Sequence, residues 1–203
     1  MTSIVELELS SEPAAWRRIG LEVVDDRSQV GLVGLRFTGG SSGISGWTLS
    51  GDADDALTID GLPTRIVAPS VAVPPPPVHP LGATRIDHIV VTTSSLERTC
   101  DAIESATGEP LKRVRDAGPG IRQGFHRFGE VIVEVVERAD LPAGTGAAFW
   151  GLVLVVEGDL FDACARLGPE LVGLPKEAVQ RGRFIATVRN ELGLGLPVAL
   201  MTP

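Results

Sequence analysis

Apolar and polar positions in this chain fall into short runs that recur in one order. Ile4 to Leu9 alternates with period two, the mark of a half-buried strand. Trp16 and Ile19 then share one helical face, with Ser11 as cap, Pro13 in the first turn and Gly20 as stop. Strands follow near Val30 to Phe37 and Ile44 to Leu49, joined through the flexible turn at Gly39-Gly40 and Ser41 to Gly43. That turn lacks the lysine and following helix of a phosphate loop and reads as a hairpin. Asp52, Asp54 and Asp55 lack the alternating oxygen ligands and closing glutamate of a calcium loop and read as a solvated loop.

The order returns after a proline-rich stretch. Ile86 to Thr92 is an apolar strand. Ser94 and Glu97 stand at capping-box spacing, and Leu96, Cys100 and Ile103 make one helical stripe that Gly108 ends. Strands are predicted at Gln123 to Phe128 and Val131 to Val136, joined at Gly129-Glu130, with room for another around Leu111 to Arg115. Then the unit repeats. Gly151 to Val156 is a strand, Asp159 caps a helix with Leu160, Cys164 and Leu167 on its stripe, and Gly168 stops it. Phe184 to Val188 and Leu196 to Met201 close the chain as strands. Leu96 and Leu160 are 64 residues apart, the period of a supersecondary unit.

Four consecutive prolines, Pro74 to Pro77, favour a stiff extended segment. The expected organisation is an N-terminal βαββ unit over residues 1–70, a linker over 71–82, and a paired-module domain over 83–203. The N-terminal unit has the order of a degenerate third copy. The fold class is α+β.

Composition narrows the function. A net charge of −8 argues against a nucleic-acid surface. No apolar run approaches the roughly 20 residues of a membrane span, and the start lacks the features of a signal peptide, so the expected location is cytoplasmic. Cys100 and Cys164 fall on predicted helices as small buried hydrophobes. The expected partner is a small molecule, with neither nucleic acid nor membrane. Exposed sheet edges make a homodimer an expectation too.

The string Ile86-Asp87-His88-Ile89-Val90-Val91 with Leu96, followed by Val133-Glu134-Val135, resembles a vicinal oxygen chelate module. That superfamily includes glyoxalase I, extradiol dioxygenases and bleomycin-resistance proteins. The resemblance covers Arg85 to Pro203, and the closing Pro197 to Pro203 is similar to the family's last strand. It implies paired βαβββ modules, each half-wrapped around a cavity, with metal ligands on first and last strands. His88 and Glu134 match those positions in the first module. In the second module the matching positions are Gly151 or Leu152, and Ala199, none of which binds a cation.

The resemblance therefore implies two readings. In one, the protein is a metal-assisted lyase, isomerase or dioxygenase acting on a small oxygenated metabolite. His88 and Glu134 would hold iron, manganese, nickel or zinc, and Glu134 would double as catalytic base. A third ligand is then needed, with His126 on the adjacent strand the first candidate, and His79 and Glu137 behind it. In the other, a metal-free pocket binds a small molecule in the manner of bleomycin-resistance proteins, with His88 and Glu134 bonded to each other or lining the pocket. The pair would also serve as base and orienter without metal. Arg122 or Arg127 is the expected clamp for a substrate carboxylate or phosphate. Lys112 and Arg113 read as solvated, Phe149 and Trp150 as packing, and Arg181, Arg183 and Arg189 as surface.

Overall fold

A computed structural model describes residues 2–52, 54–68 and 75–203. The expected boundary at 70/71 and the start of the linker lie outside the described residues.

The chain forms two mixed sheets. The first holds β1 (Ile4–Ser11), β2 (Arg27–Val30), β3 (Val33–Phe37), β4 (Ser41–Ser50), β5 (Asp55–Ile59) and β6 (Leu62–Val67) in the order β2-β3-β1-β4-β6-β5. The helix α1 (Pro13–Arg18) follows β1. The second holds β7 (Ala83–Thr93), β8 (Arg113–Gly118), β9 (Ile121–Phe128), β10 (Val131–Arg138), β11 (Ala148–Val156), β12 (Lys176–Glu177), β13 (Phe184–Thr187) and β14 (Val198–Met201). Their order is β12-β13-β14-β11-β7-β10-β9-β8. Helix α2 (Leu96–Thr107) follows β7 and α3 (Leu160–Leu167) follows β11.

Each sheet is two units joined back to back. In the second sheet, β7 runs parallel to β10 and β11 parallel to β14, while β7 and β11 pair antiparallel at the centre. These are the two βαβββ modules expected from the sequence. The first sheet repeats the plan, with β1 parallel to β3, β4 parallel to β6, and β1 antiparallel to β4. The N-terminal region is thus two small units rather than one βαββ unit. Asp55, expected in a solvated loop with Asp52 and Asp54, instead starts β5. The hairpin signal lies just beyond, at Asp60-Gly61. Both residues have positive φ, 48° and 104°, the geometry of a tight two-residue hairpin.

One face of each sheet is dry. In the second sheet this face carries Ile89, Val91, Val133 and Val135, all fully buried. Helix α2 lies against it so closely that a Cβ on Gly124 would come 3.0 Å from Cys100 Sγ and Leu96 Cδ1. The dry faces of both sheets share one core. Trp47 of β4 reaches across it, its ring 5.5 Å from Phe128 and 5.3 Å from Phe149. Its indole N–H donates to Thr64 Oγ1 at 2.7 Å, so the buried polar atom is satisfied.

The caps follow the sequence with two shifts. Asp159 caps α3 by accepting from Phe161 and Asp162 amides, as expected. Ser95, not Ser94, caps α2, because Ser94 Oγ donates to the Thr145 carbonyl instead. Ser11 does not cap α1. It is buried at the end of β1, where it accepts from Trp16 Nε1 at 2.8 Å.

A polar clamp ties the first sheet to α2. Asp60 accepts from Arg98 Nε at 2.8 Å and from Thr99 Oγ1 at 2.5 Å, and its carbonyl accepts from the Ala147 amide. Removing the carboxylate takes the charged partner from Arg98 and one of the two hydroxyl partners from buried Thr99. Asp60→Ala is expected to lower stability in urea denaturation by about 2 kcal/mol. An unchanged midpoint would show that the clamp contributes nothing.

Candidate functional site

The wet face of the second sheet is a trough. Two connected hollows, of about 800 and 700 Å³, share His88, Gln123, Glu134 and Ile185 as common lining. Strand alternation explains the selection. His88, Val90 and Thr92 leave β7 on the side opposite Ile89 and Val91. Glu134 and Val136 do the same on β10.

One irregularity breaks the alternation and builds the site. Opposite β7, Val153 pairs with His88 but Leu154 pairs with Ile86, so Asp87 is an extra residue bulged out of the ladder. Neighbouring strand residues ordinarily point to opposite faces. Here Asp87 Oδ2 and His88 Nδ1 meet at 2.8 Å. Arg183, just before β13, brings a guanidinium Nη2 to 2.8 Å from Asp87 Oδ1. That contact is an ion pair rather than an aligned hydrogen bond. Arg183 Nε donates to the Thr202 carbonyl at 2.8 Å.

Asp87 is 7% exposed. Burial by itself would raise its pKa. The hydrogen bond from His88 and the charges of Arg183 and His88 outweigh that, and the carboxyl is lowered to about 2. An ionised Asp87 accepts the Nδ1–H of His88. The imidazole then directs its Nε2 toward the trough, where Glu134 Oε2 lies 3.5 Å away. The line Arg183, Asp87, His88, Glu134 runs from the far rim of the sheet to the trough floor.

The other expected residues are placed elsewhere. His126 pairs across the ladder with Val133, on the dry face, and is 1% exposed. Its Nδ1–H donates to the Glu109 carbonyl at 3.0 Å, and burial holds its pKa below the ordinary value against that bond. It is not brought to His88 and Glu134. His79 is buried against the first sheet, where Nδ1 accepts from the Glu22 amide and Nε2 lies 2.9 Å from the Gln29 carbonyl. Glu137 and Arg122 pair with each other on the helix side, and Arg122 also meets Glu97 of α2 at 2.6 Å. Arg127 lies on the trough side, and its Nε donates to the Gly129 carbonyl. In the second module, Val153 and Ala199 continue the cross-strand row from His88 as apolar lining. Trp150 is bulged out of β11 in the same way as Asp87 is from β7, and lines the trough half-exposed.

His88 Nε2 and Glu134 are suitable donors for a divalent cation, but they are two. Among the described residues, no third His, Cys, Asp or Glu joins them in a group able to hold a metal ion. Protein sites for such metals ordinarily use three or four protein ligands. This donor set does not fit a resident metal held by the chain alone.

Two residues of this cluster do not stand out in the sequence: Asp87 is one letter of the apolar string, and Arg183 reads as surface although its side chain is 17% exposed. An acid inside an apolar strand, next to a histidine, was the available signal for Asp87. Nothing in the local sequence marks Arg183, since its partner lies 96 residues away.

No family model matches the chain, and no curated protein does. Among solved structures, a variant of 4-hydroxymandelate synthase from Streptomyces coelicolor is similar with a TM-score of 0.68 and 16% identity, over 98% of this chain and 92% of that one. Methylmalonyl-CoA epimerase from Mycobacterium tuberculosis covers 60% of this chain and 89% of its own, at a TM-score of 0.49 and 16% identity. The Streptomyces coelicolor epimerase gives 0.47 and 18%, over 59% and 94%. Among the described residues, no helix is long and apolar enough to cross a membrane. With its modules paired about antiparallel central strands, the chain has the vicinal oxygen chelate fold.

Proposed function

We propose that the trough of the second sheet takes a small oxygenated metabolite and that His88 and Glu134 move a proton on it, as in an isomerase or lyase. One observation carries this reading: His88 is held through Nδ1 by Asp87 while its Nε2 faces Glu134 across 3.5 Å inside the trough. Two proton-carrying groups then face one cavity, and one of them is fixed in tautomer and direction. Glu134 takes a proton from the carbon beside a carbonyl, and the electron pair moves to the carbonyl oxygen. With a proton on Nε2 as well, His88 donates a hydrogen bond to that oxygen, and Glu134 returns the proton it took to carbon. Trp150, Val136 and Val153 give the apolar wall that keeps water from the developing charge.

The reading needs no resident metal, which agrees with the two-donor set. Elemental analysis of the purified protein should show substoichiometric iron, zinc, nickel and manganese after incubation with each. Stoichiometric metal that disappears in His88→Ala would overturn the metal-free reading in favour of a metal-assisted one.

The direct test is proton exchange. The protein is incubated in D2O with a panel of carbonyl and hydroxy acids, phosphorylated and not, and loss of the C–H signal is followed by proton NMR. Glu134→Gln and His88→Ala are each expected to slow exchange by about 10² to 10⁴-fold. Exchange undiminished in both variants would remove the pair from the chemistry. Binding without exchange of any panel member would make the trough a binding site alone.

Asp87 supplies a pH-dependent signature. Its folded-state carboxyl is lowered to about 2 from an ordinary value of 3.8. The lowered value means that the folded protein binds its proton less readily than the unfolded chain. The associated stability is present above about pH 4 and is lost as pH falls toward 2, with a size of about 2 kcal/mol. Asp87→Asn should therefore be less stable than wild type at pH 7 in urea titration, with the gap narrowing at pH 2.5. A gap of constant size would show that the carboxylate's charge is not what stabilises the bulge.

A further inference from the structure

The smaller hollow of the trough differs in charge from the rest of the molecule. The chain carries a net charge of −8, yet this hollow is lined by Lys112, Arg113, Arg115, Arg127 and Lys176 against the carboxylates of Glu134 and Glu177. None of the five cations forms an ion pair with a carboxylate among the described residues. Arg36, by contrast, is matched with Glu6 and Glu8, and Arg98 with Asp60.

Arg115 is the anchor of this group. Gln123 Oε1 accepts from its Nε at 2.9 Å, and the guanidinium stands 5.9 Å over the ring of Phe125. Both contacts fix the head without neutralising it, which leaves a preorganised cation facing the hollow. The cations come from both rims. Arg113 and Arg115 belong to the edge strand β8, and Lys176 to the opposite edge strand β12. An anion in the hollow would be held from two sides by strands that otherwise end the sheet.

The register gives the reach. Arg113 pairs with Phe125, and Phe125 with Glu134. Arg127 pairs with Ile132, and Ile132 with His88. Each cation therefore stands two strands from a proton-moving residue, roughly 10 Å at the backbone. Arginine side chains shorten that gap to a few bonds of substrate.

We infer that this hollow is a subsite for a phosphoryl group carried by the metabolite whose carbon centre lies at His88 and Glu134. Its role as a substrate subsite rests on the proton-transfer reading of the trough. A phosphoryl group is favoured over a carboxylate because several cations line the hollow from different strands. That geometry suits a multiply charged tetrahedral anion better than one planar bidentate one.

The probe is inorganic pyrophosphate, titrated by calorimetry at low ionic strength, with malonate as the carboxylate counterpart. Pyrophosphate is expected to bind, at least tenfold more tightly than malonate, and to weaken with added salt. Arg115→Ala and Arg113→Ala should each weaken it about tenfold. Arg122→Ala, on the opposite face of the sheet, should leave it within twofold. Arg115→Lys serves as the milder variant if Arg115→Ala fails to fold, and should weaken binding by severalfold through loss of the Gln123 and Phe125 contacts. Absence of pyrophosphate binding, equal binding of malonate, or equal loss in Arg122→Ala would each overturn the subsite. Pyrophosphate binding does not depend on proton exchange. Exchange on unphosphorylated compounds with no pyrophosphate binding overturns the subsite and leaves the proton-transfer reading standing. Binding with no exchange on any compound does the reverse, leaving an anion site without that chemistry.

Discussion

A strand has two faces, and in each sheet of this protein one of them must be dry. The helices and the opposing sheet cover one side, and the other side curves away into water. Every polar side chain on a strand is sorted by that requirement. His126 and His88 stand on strands of the same sheet, separated only by β10, and the period of two sends them to opposite sides. His126 then needs a backbone partner in the core and finds the Glu109 carbonyl. His88 stays at the trough floor with a ring nitrogen to spare. The same sorting places Glu134 in the trough and Glu137, three residues on, against the helix with Arg122.

The bulge at Asp87 is where the sheet departs from this rule. An acid on β7 beside His88 would ordinarily point into the dry core, where an unpaired carboxylate is costly. The extra residue turns it toward the imidazole, and Arg183 covers its remaining oxygen. Burial raises the cost of the charge, and the two partners more than offset it, so the carboxyl stays ionised well into acid. The irregularity therefore converts a liability of the core into an orienting group for the site. A regular β7 would carry the same residues without the same chemistry.

Much of this was legible in the sequence because it depends on local pattern. The apolar runs of β7, β10 and β11, the stripe of α2 and α3, and the cap at Asp159 follow from period and residue type alone. Two trough residues, His88 and Glu134, were legible through their family-like setting. What escaped depends on register and long-range pairing. The face taken by His126 depends on whether β9 begins at an odd or even residue, and a shift of one reverses the answer. The bulge at Asp87 leaves no mark in composition. Arg183 becomes buried only because the last module folds back onto the first. In the N-terminal half, β5 and β6 were hidden by an acidic run, although Asp60-Gly61 carried a hairpin signal.

The two sheets make the final contrast. Both are built from paired units about an antiparallel centre, and both have a polar concave face. In the first sheet that face is closed on itself. Glu6 and Glu8 of β1 meet Arg27 and Arg36 of β2 and β3, so the charges across the strands are matched within the sheet. In the second sheet the matching is partial: Arg138 meets Asp140 at the rim of the trough, and other charges there have no such partner. A histidine is held by one nitrogen only, a glutamate faces it, and a group of cations stands nearby without carboxylate partners. The face with unmatched groups is the one for which a ligand is proposed above. The N-terminal sheet supplies its dry face to the common core and the Asp60 clamp to α2.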